Sequence, residues 1–420
     1  MTFVSALGEA AAWTAFVLQA PDDAVYLAVR AKSAFATKVI SIDEALSGER
    51  AEQHRAAIDA ELSGQLEKHK SFRYIKLSDK PPEEGLIPLK LIMAEKTGGD
   101  ASFLKAKARL VLRGDRLVPG RDYDPWATNS NMLDYSALRF LLSVGTITGR
   151  KVGSSDGTQA YLNAWLPKPC YGRMPQVLRK FDADGTELIA LIVKCLYGHV
   201  VSGRKWQEQI HAFMVAPRGE GGLGCVRSTS NPCLYSYRGP GPNPGPIARM
   251  EWAHFGLATD NLFDCCSTDE LRADIIARLQ AKFPWVDEGP ISDVPSVLGA
   301  TAKQDLAAGT TTLSLKGYIE TVADEYKDLL TSRKVSTPAT SEIEAIVNEA
   351  LRTKEEPRDP KLIKWYQRVC GLLIFASIVC RPDMSYAAAM LSRAMAYPTE
   401  ALKAAAIRAI NYLVQHKSLC

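Results

Sequence analysis

Two acidic residues, each set in an apolar segment, constrain this chain more than any other feature. Asp156 lies within residues 154–166, and the polar pair Asp260-Asn261 lies within residues 252–266, where a short hairpin could turn. Hard divalent cations prefer oxygen ligands, and two-metal sites are built from carboxylates that separate segments contribute. The pattern therefore indicates magnesium-dependent phosphate chemistry, although either acid taken alone is more typical of an Asp in a turn.

A basic segment upstream of both acids predicts a strand with one charged face. Lys105, Lys107 and Arg109 alternate with small or apolar residues, and side chains on a strand have a period of two. Such a row of cations is suited to a triphosphate or a nucleic-acid backbone, while a solvated strand face is its commoner cause. The overall net charge of +4 is too small to indicate nucleic-acid binding by itself, but basic residues outnumber acidic ones between positions 86 and 210.

Composition places the chain among soluble globular proteins. Its 420 residues are 46% hydrophobic and 23% charged, enough for two or three domains. Nine scattered cysteines without a C-x-x-C spacing favour reduced thiols and argue against a zinc site. Glu9 interrupts the apolar N-terminus, and the apolar run 372–380 is shorter than the roughly 20 residues of a membrane span. We expect an intracellular protein of the cytoplasm or nucleus that has no membrane partner.

Local patterns predict several elements along the chain. Helices are expected over residues 43–70, 135–144 and 268–283, where apolar residues recur at helical spacing. A short strand interrupted at Pro88 is expected over 86–93, and a loop over 167–175. The glycine- and proline-rich stretch 219–246 predicts a loop region, and the acidic stretch 334–360 predicts a linker.

Several sequence blocks, taken in order, resemble the reverse transcriptase of copia-type retrotransposons, a part of their Pol polyproteins. The blocks are KAKARLVLRGDRLVPGRDYD from Lys105, Asp156 with its AYLN, KCLYGHVVSGRKW from Lys194, the Asp260 hairpin, VLGA from Val297, LSLKGYI from Leu313, and RPDMSYAAAMLSR from Arg381. The resemblance extends over roughly residues 42–413, and the order of the blocks argues more strongly for it than any single block.

The resemblance implies an α+β fold with a reverse-transcriptase palm and fingers, followed by a helical region like the thumb and connection. We expect three parts: an uninterpreted N-terminal segment at 1–40, fingers and palm at 41–330, and a linker with the thumb-like helices at 331–420. The chain is then a divergent relative that ends before any RNase H carboxylates.

The same resemblance implies roles for individual residues. Asp156 and Asp260 would be catalytic, and with Asn261 they would hold two Mg²⁺ or Mn²⁺ ions. Nucleotide binding is expected at Lys107, Arg109, Tyr161 and Arg204, and nucleic-acid binding at Lys105, Arg113 and Arg116. Tyr161 matches an aromatic residue that excludes a 2′-hydroxyl and so selects deoxynucleotides; the alternative is a core tyrosine.

The chain departs from the family pattern at two places. The last acid of the family's Tyr-x-Asp-Asp is Asn261 here, and its Tyr is Ala258. Where the family has Gly-Leu-Lys-Gln-Ala-Pro-Arg, this chain has Val200 and Val201 in place of the Lys and Gln. An amide oxygen can ligate magnesium but brings no negative charge, so metal affinity should be lower.

Two hypotheses about function follow. The first is an RNA-directed DNA polymerase, a nucleotidyltransferase of reduced activity, that takes an RNA template, a DNA primer and deoxynucleotides. The second is an inactive relic that at most binds nucleic acid through its basic strand. The sequence leaves the oligomeric state open.

Overall fold

The computed structural model describes residues 37–97, 103–242 and 250–419, which form two compact units divided between Pro290 and Ile291. Of the N-terminal segment left uninterpreted from the sequence, 1–40, residues 1–36 lie outside the described residues. The remaining four, Thr37–Ile40, form a strand. Glu9 and part of the glycine- and proline-rich stretch, 243–249, also lie outside them. The domain boundary placed at 330 from the sequence stays a prediction.

The secondary structure of the described residues is mixed. The α-helices are α1 (Ile42–Ser47), α2 (Ala51–Ser63), α3 (Tyr135–Thr148), α4 (Ser202–Val215), α5 (Asp269–Lys282), α6 (Lys316–Glu325), α7 (Ile343–Arg352), α8 (Pro360–Val379), α9 (Ser385–Ser392) and α10 (Glu400–Gln415). The strands are β1 (Thr37–Ile40), β2 (Phe72–Lys76), β3 (Leu86–Thr97), β4 (Phe103–Leu112), β5 (Val152–Gly157), β6 (Trp165–Arg173), β7 (Lys180–Phe181), β8 (Glu187–Lys194), β9 (Val226–Arg227), β10 (Leu234–Pro240), β11 (Met250–Ala258), β12 (Asn261–Cys266), β13 (Trp285–Pro290), β14 (Thr301–Asp305) and β15 (Thr310–Ser314).

The first unit contains two sheets. A seven-stranded sheet has the order β1-β3-β6-β8-β2, with β4 paired to β3 and β7 paired to β8. A six-stranded antiparallel sheet has the order β13-β5-β12-β11-β10-β9. The main hydrophobic core includes Leu110, Leu162, Trp206 and Phe255, and a smaller cluster includes Ile40, Ala45, Ile58, Leu91, Met93 and Ala108. This mixed architecture agrees with the α+β class predicted from the sequence.

Strand β4 has the two-faced character that its alternating sequence predicts. Ala108, Leu110 and Leu112 are buried, whereas Lys105 and Lys107 are exposed. Burying one face of a strand fixes its register, because a slip by one residue would move every side chain to the opposite face. The core contacts of the even-numbered positions therefore hold the basic side chains on the outer face.

Two helices predicted from sequence begin at the residues that cap them. Asp134 accepts a hydrogen bond from the Ala137 N–H at the start of α3, and Thr268 accepts one from the Leu271 N–H at the start of α5. Each cap satisfies a backbone donor that has no partner within its helix. Helix α3 ends at Gly149, whose φ of 65° suits a residue without a Cβ atom.

The second unit pairs a β14–β15 hairpin with five helices. Helix α8 is long and apolar enough to cross a membrane by length and composition. Its buried residues recur every three or four positions, and the Tyr366 hydroxyl donates to the Leu391 carbonyl at 2.9 Å. A core helix of a soluble protein passes the same length and composition test, so this helix is weak support for a membrane span.

Several local predictions were wrong. Strand β3 continues through Pro88, which pairs in parallel with Arg173 and whose carbonyl accepts the Arg113 N–H at 3.0 Å. The loop expected at 167–175 is mostly β6, whose two prolines lie within a register irregularity between Trp165 and Cys170. Proline is tolerated there because no ladder hydrogen bond is lost.

One helix prediction and one linker prediction also needed revision. The helix expected over 43–70 is divided into α1, α2 and a π-helical turn at Gly64–Lys68. The segment expected to be a linker contains α7, in which Ile343, Val347 and Ala350 are buried. Its apolar residues lie on one face of a helix, so the acidic composition of the segment was misleading.

Candidate functional site

The hairpin that carries Asp260 joins β11 to β12 through a two-residue turn. Ala258 pairs with Asn261, which leaves Thr259 and Asp260 as the turn residues. Thr259 has a φ of 59°, a left-handed conformation that costs a non-glycine residue on the order of 1–3 kcal/mol. The Trp206 Nε1–H donates to the Thr259 carbonyl at 2.6 Å, and the Gly157 N–H donates to the Asp260 carbonyl at 2.7 Å. These two hydrogen bonds hold the turn against the neighbouring strand β5 and helix α4.

Asp156 lies next to this turn because β5 pairs with β12. In the register of the two strands, Asp156 is directly opposite Asn261. The Asn261 Nδ2 donates to the Asp156 Oδ1 at 3.4 Å, and the side chains of Asp156, Asp260 and Asn261 are all half-buried. The sheet thus brings the three residues proposed from sequence as metal ligands to one position.

The pKa of Asp156 reflects this position. Burial first, and then the negative charges of Asp260 and Glu288, raise it from 3.8 to about 6, while Lys107 acts in the opposite direction. Removing a carboxylate from water disfavours its charged form, and so do like charges nearby. The site therefore favours a positive charge beside Asp156.

The basic face of β4 lies close enough to Asp156 and Asp260 to affect them electrostatically. Lys107 acts on Asp156, and the pKa of the half-buried Tyr161 is raised by burial and by Asp260 and lowered by Arg109. The guanidinium of Arg109 lies over the ring of Tyr197 at 5.3 Å, and that ring lies 5.3 Å from the ring of Tyr161. Cations, aromatic rings and carboxylates form one continuous group.

A close backbone approach fixes the distance between β4 and the rest of this group. The Leu112 N–H donates to the Tyr197 carbonyl at 2.8 Å. Gly198 has a φ of 85°, and a Cβ atom there would lie 2.1 Å from the Leu112 carbonyl oxygen. A Cβ atom at Gly114 would lie 2.0 Å from the Gly198 carbonyl oxygen. Glycine is therefore required at both positions for the loop before α4 to contact the end of β4.

The other basic residues proposed from sequence are paired with acidic side chains or lie farther along β4 from Lys107 and Arg109. Arg204 donates to Glu208 at 2.6 Å across one turn of α4. Arg113 donates twice to Asp115, and the Arg116 Nε lies 3.6 Å from the same carboxylate. Lys105 is exposed two residues before Lys107, opposite Lys96 of β3.

A family model described as "Reverse transcriptase (RNA-dependent DNA polymerase)" matches residues 72–341, which is more than half of the chain. The chain belongs to the reverse transcriptase family. It is similar to the Retrovirus-related Pol polyprotein from transposon TNT 1-94 of Nicotiana tabacum, with 24% identity over 85% of this chain and 25% of the relative. It is also similar to the Pol polyprotein from transposon RE2 of Arabidopsis thaliana, with 22% identity over 94% of this chain and 26% of the relative.

This reverse transcriptase domain therefore spans about a quarter of the length of these two relatives. The resemblance to copia-type reverse transcriptases stated from the sequence blocks is confirmed at low identity. Both of the residues that raise the pKa of Asp156 by their charge, Asp260 and Glu288, lie within the matched range.

Reverse transcriptases normally use divalent metal ions, and the residues of this site fit that requirement in part. Asp156, Asp260 and Asn261 meet at the end of the β5–β12 ladder, where burial and the charges of Asp260 and Glu288 raise the pKa of Asp156. Within residues 37–97, 103–242 and 250–419, however, no three His, Cys, Asp or Glu side chains are grouped so that they could hold a metal ion. Asn261, which stands where the family pattern has an acid, leaves Asp156 and Asp260 as the two carboxylates of the three proposed ligands.

Sequence reasoning missed two residues of this group. Tyr197 stands immediately before Gly198 in a block already recognised, so its position beside the turn could have indicated it. Glu288 accepts a hydrogen bond from the Ser154 Oγ at 2.7 Å because β13 pairs with β5. No local pattern indicates that pairing, since it joins segments far apart in the chain.

We expect Trp206→Phe to destabilise the protein by about 2–4 kcal/mol, because it removes the hydrogen bond to Thr259 and shrinks a fully buried side chain. Thermal unfolding monitored by circular dichroism measures this loss. Trp165→Phe is the matched control, since Trp165 is 63% exposed. Equal effects of the two substitutions would contradict the anchoring role of Trp206.

We expect Asp156→Asn to stabilise the protein at pH 7.5 but hardly at pH 4.5. The folded state raises the pKa of Asp156 to about 6, so it holds this proton more tightly than the unfolded chain does. Wild-type stability then falls as pH rises from about 4 through 6. The gain at pH 7.5 should be on the order of 1–2 kcal/mol once solvent screening is included.

Thermal midpoints at the two pH values measure this difference, with the exposed Asp59→Asn as the control. A gain that is the same at both pH values would show that the charge of Asp156 is not its cause.

Proposed function

We propose that this chain is an RNA-directed DNA polymerase of a copia-type retrotransposon, with reduced activity. The observation that carries the proposal is the meeting of Asp156, Asp260 and Asn261 with the basic side chains of β4. Its substrates would be an RNA template, a DNA primer and deoxynucleotides, inside the cell in the cytoplasm or nucleus.

In this proposal the six-stranded sheet corresponds to the palm and the seven-stranded sheet to the fingers. The helices of the second unit correspond to a thumb or connection. Asp156 and Asp260 would hold the divalent ions with the amide oxygen of Asn261, whose Nδ2 now donates to Asp156. Bound Mg²⁺ or Mn²⁺ would supply charge neutralisation at the primer 3′-hydroxyl and the leaving pyrophosphate.

The chain's own residues would position the nucleotide. Lys107 and Arg109 on β4 would meet the triphosphate, since cations bind phosphate oxygens strongly. The Tyr161 ring, fixed beside Tyr197, would lie beneath the sugar and exclude a 2′-hydroxyl. Arg204 would have to leave Glu208, and an exposed pair at this spacing contributes only about 0.3–0.5 kcal/mol.

Nucleic-acid binding would depend chiefly on Lys105 and Lys107. Asp115 offsets part of the charge of Arg113 and Arg116, so these two arginines together contribute less than two positive charges. Phosphate contacts of this kind do not depend on base sequence and weaken with salt.

A second candidate function is an inactive relic that binds nucleic acid. The positions at which this chain departs from the family pattern favour it. Asn261 leaves the site with one negative charge fewer than the family pattern, and Val201 is 1% exposed in the core instead of facing a substrate. Binding would then persist through β4 without chemistry.

We expect Asn261→Asp to raise magnesium-dependent primer extension by at least about tenfold, since even partners outside the ligand set change metal affinity 10–100-fold. Magnesium demands near-ideal octahedral oxygen ligands, so the wild-type chain should extend a primer better with manganese. Extension on an RNA template, with each metal in turn, measures both effects.

Asn348→Asp, on the exposed side of α7, is the matched control, and Asp156→Asn should abolish extension in either metal. If Asn261→Asp and Asn261→Asp with Val200→Lys both stay folded and fail to extend with manganese, the polymerase proposal is wrong and the relic is the better description.

We expect Lys105→Gln with Lys107→Gln to weaken binding to an RNA–DNA hybrid and to reduce the slope of log affinity against log salt by roughly 2. Fluorescence anisotropy between 50 and about 200 mM salt measures the slope. Lys151→Gln with Lys282→Gln removes the same charge from exposed positions outside β4. An unchanged slope in the β4 variant would remove this strand from the binding surface.

A further inference from the structure

One edge of β4 pairs with β3, and its other edge is closed by a backbone carbonyl and by the side chain of Glu61. Among the described strands, β4 pairs with β3 along one edge. On the other edge, the Leu112 N–H donates to the Tyr197 carbonyl and the Leu110 N–H donates to the Glu61 Oε1 at 3.1 Å. An unpaired strand edge exposes backbone groups that need partners. Glu61 satisfies one of them from helix α2.

Glu61 and Gln65 together satisfy the backbone N–H and carbonyl of Leu110, as a neighbouring strand would. The Gln65 Nε2 donates to the Glu61 Oε1 at 2.7 Å and reaches the Leu110 carbonyl at 3.4 Å. Glu61 is 9% exposed and Gln65 is fully buried. A buried carboxylate is costly unless its oxygens are hydrogen-bonded, so this arrangement needs each of these donors.

The second oxygen of Glu61 faces the segment that follows Asp156. The Gln159 Nε2 donates to the Glu61 Oε2 at 3.5 Å. Gln159 has a φ of 52°, and it stands between Asp156 and Tyr161 in the chain. A single carboxylate on α2 thus contacts the π-helical turn that follows the helix, strand β4, and the segment that joins Asp156 to Tyr161.

The charge of Glu61 also reaches the aromatic residues of the site. Burial raises the pKa of the Tyr197 hydroxyl, Asp260 and Glu61 raise it further, and Arg109 lowers it. Glu61 therefore belongs to the same electrostatic neighbourhood as Arg109, whose guanidinium lies over the Tyr197 ring.

We propose that Glu61 is a positioning residue: it holds the strand that carries Lys107 and Arg109 in place against the segment that carries Asp156 and Tyr161. Its consequence for nucleotide binding rests on the proposed polymerase function. Glu61 touches no substrate in this role. It fixes the separation between the cations that would meet the triphosphate and the carboxylates that would hold the metal ions.

Two substitutions separate this role from general stabilisation. Glu61→Ala removes all three hydrogen bonds, whereas Glu61→Gln keeps an oxygen for Leu110 and Gln65, and the Gln159 amide can turn to accept from the new Nε2. We expect Glu61→Ala to raise the KM for deoxynucleotide roughly tenfold with little change in kcat, since it disturbs binding and not the carboxylates. Glu61→Gln should remain near wild type, and the exposed Asp59→Ala of α2 is the matched control.

Hydrogen–deuterium exchange of the full chain tests the contact without any activity. Exchange of the peptide covering residues 105–112 should speed up in Glu61→Ala and stay slow in Glu61→Gln and Asp59→Ala. Unchanged exchange in a folded Glu61→Ala protein would overturn the proposal, whatever the polymerase assay gives. If neither the wild type nor any variant extends a primer in manganese, the proposed function is wrong. The exchange result still shows whether Glu61 holds β4 in place.

Gln159→Asn provides a second variant in case Glu61→Ala does not fold. The shorter amide cannot reach Glu61, and Asn tolerates the left-handed backbone of this position. We expect slow exchange at 105–112 but a raised KM for deoxynucleotide. A fall in kcat at unchanged KM in this variant would show that Glu61 has no positioning effect on the nucleotide site.

Discussion

The first unit holds two carboxylates, Asp156 and Asp260, close enough to repel one another, and the surrounding structure must keep them there. The β5–β12 ladder places Asp156 opposite Asn261, and the adjoining turn places Asp260 one residue away. That turn keeps Thr259 in a left-handed conformation, which the hydrogen bonds from Trp206 and Gly157 offset at about 0.5–1.5 kcal/mol each. The fold therefore maintains a concentration of negative charge that stability alone would not select, and such arrangements cluster where a cation or substrate binds.

The position of β4 determines how much positive charge reaches these carboxylates. Positive charge near Asp156 lowers its pKa, and Lys107 supplies it only because β4 is held close by the Gly198 approach to Leu112. A side chain at Gly198 or Gly114 would push the strand away by overlapping backbone atoms. Two glycines and one buried carboxylate, Glu61, therefore control how strongly the seven-stranded sheet acts on a site built from the six-stranded one.

The sequence predicted the parts of this site that depend on local periodicity. Alternation in β4 indicated its basic face, and the polar pair between apolar runs indicated the Asp260 hairpin. Local ion pairs could also have been predicted, since Arg204 and Glu208 stand at helical spacing and Arg113 lies two residues from Asp115. The contacts of Glu61 and Glu288 could not, because each depends on pairing between segments that no local pattern connects. Pro88 misled for a related reason: its tolerance in β3 depends on whether a neighbouring strand needs the N–H that proline lacks, and its carbonyl still accepts from Arg113.

The residues that depart from the family pattern differ in how far they are buried and packed in the core. Asn261 is half-buried beside Asp156, and an Asp there would exchange an amide for a carboxylate of the same shape. Val201 is 1% exposed and packs in the core with Trp206, so a Gln there would bury an amide at a cost of about 1–3 kcal/mol unless it found partners. Val200 is half-buried, and a Lys in its place could extend its charged end to solvent. Charge can therefore be restored at Asn261 and Val200 without repacking, whereas the position of Val201 now belongs to the core that supports Trp206 and, through it, the Asp260 turn.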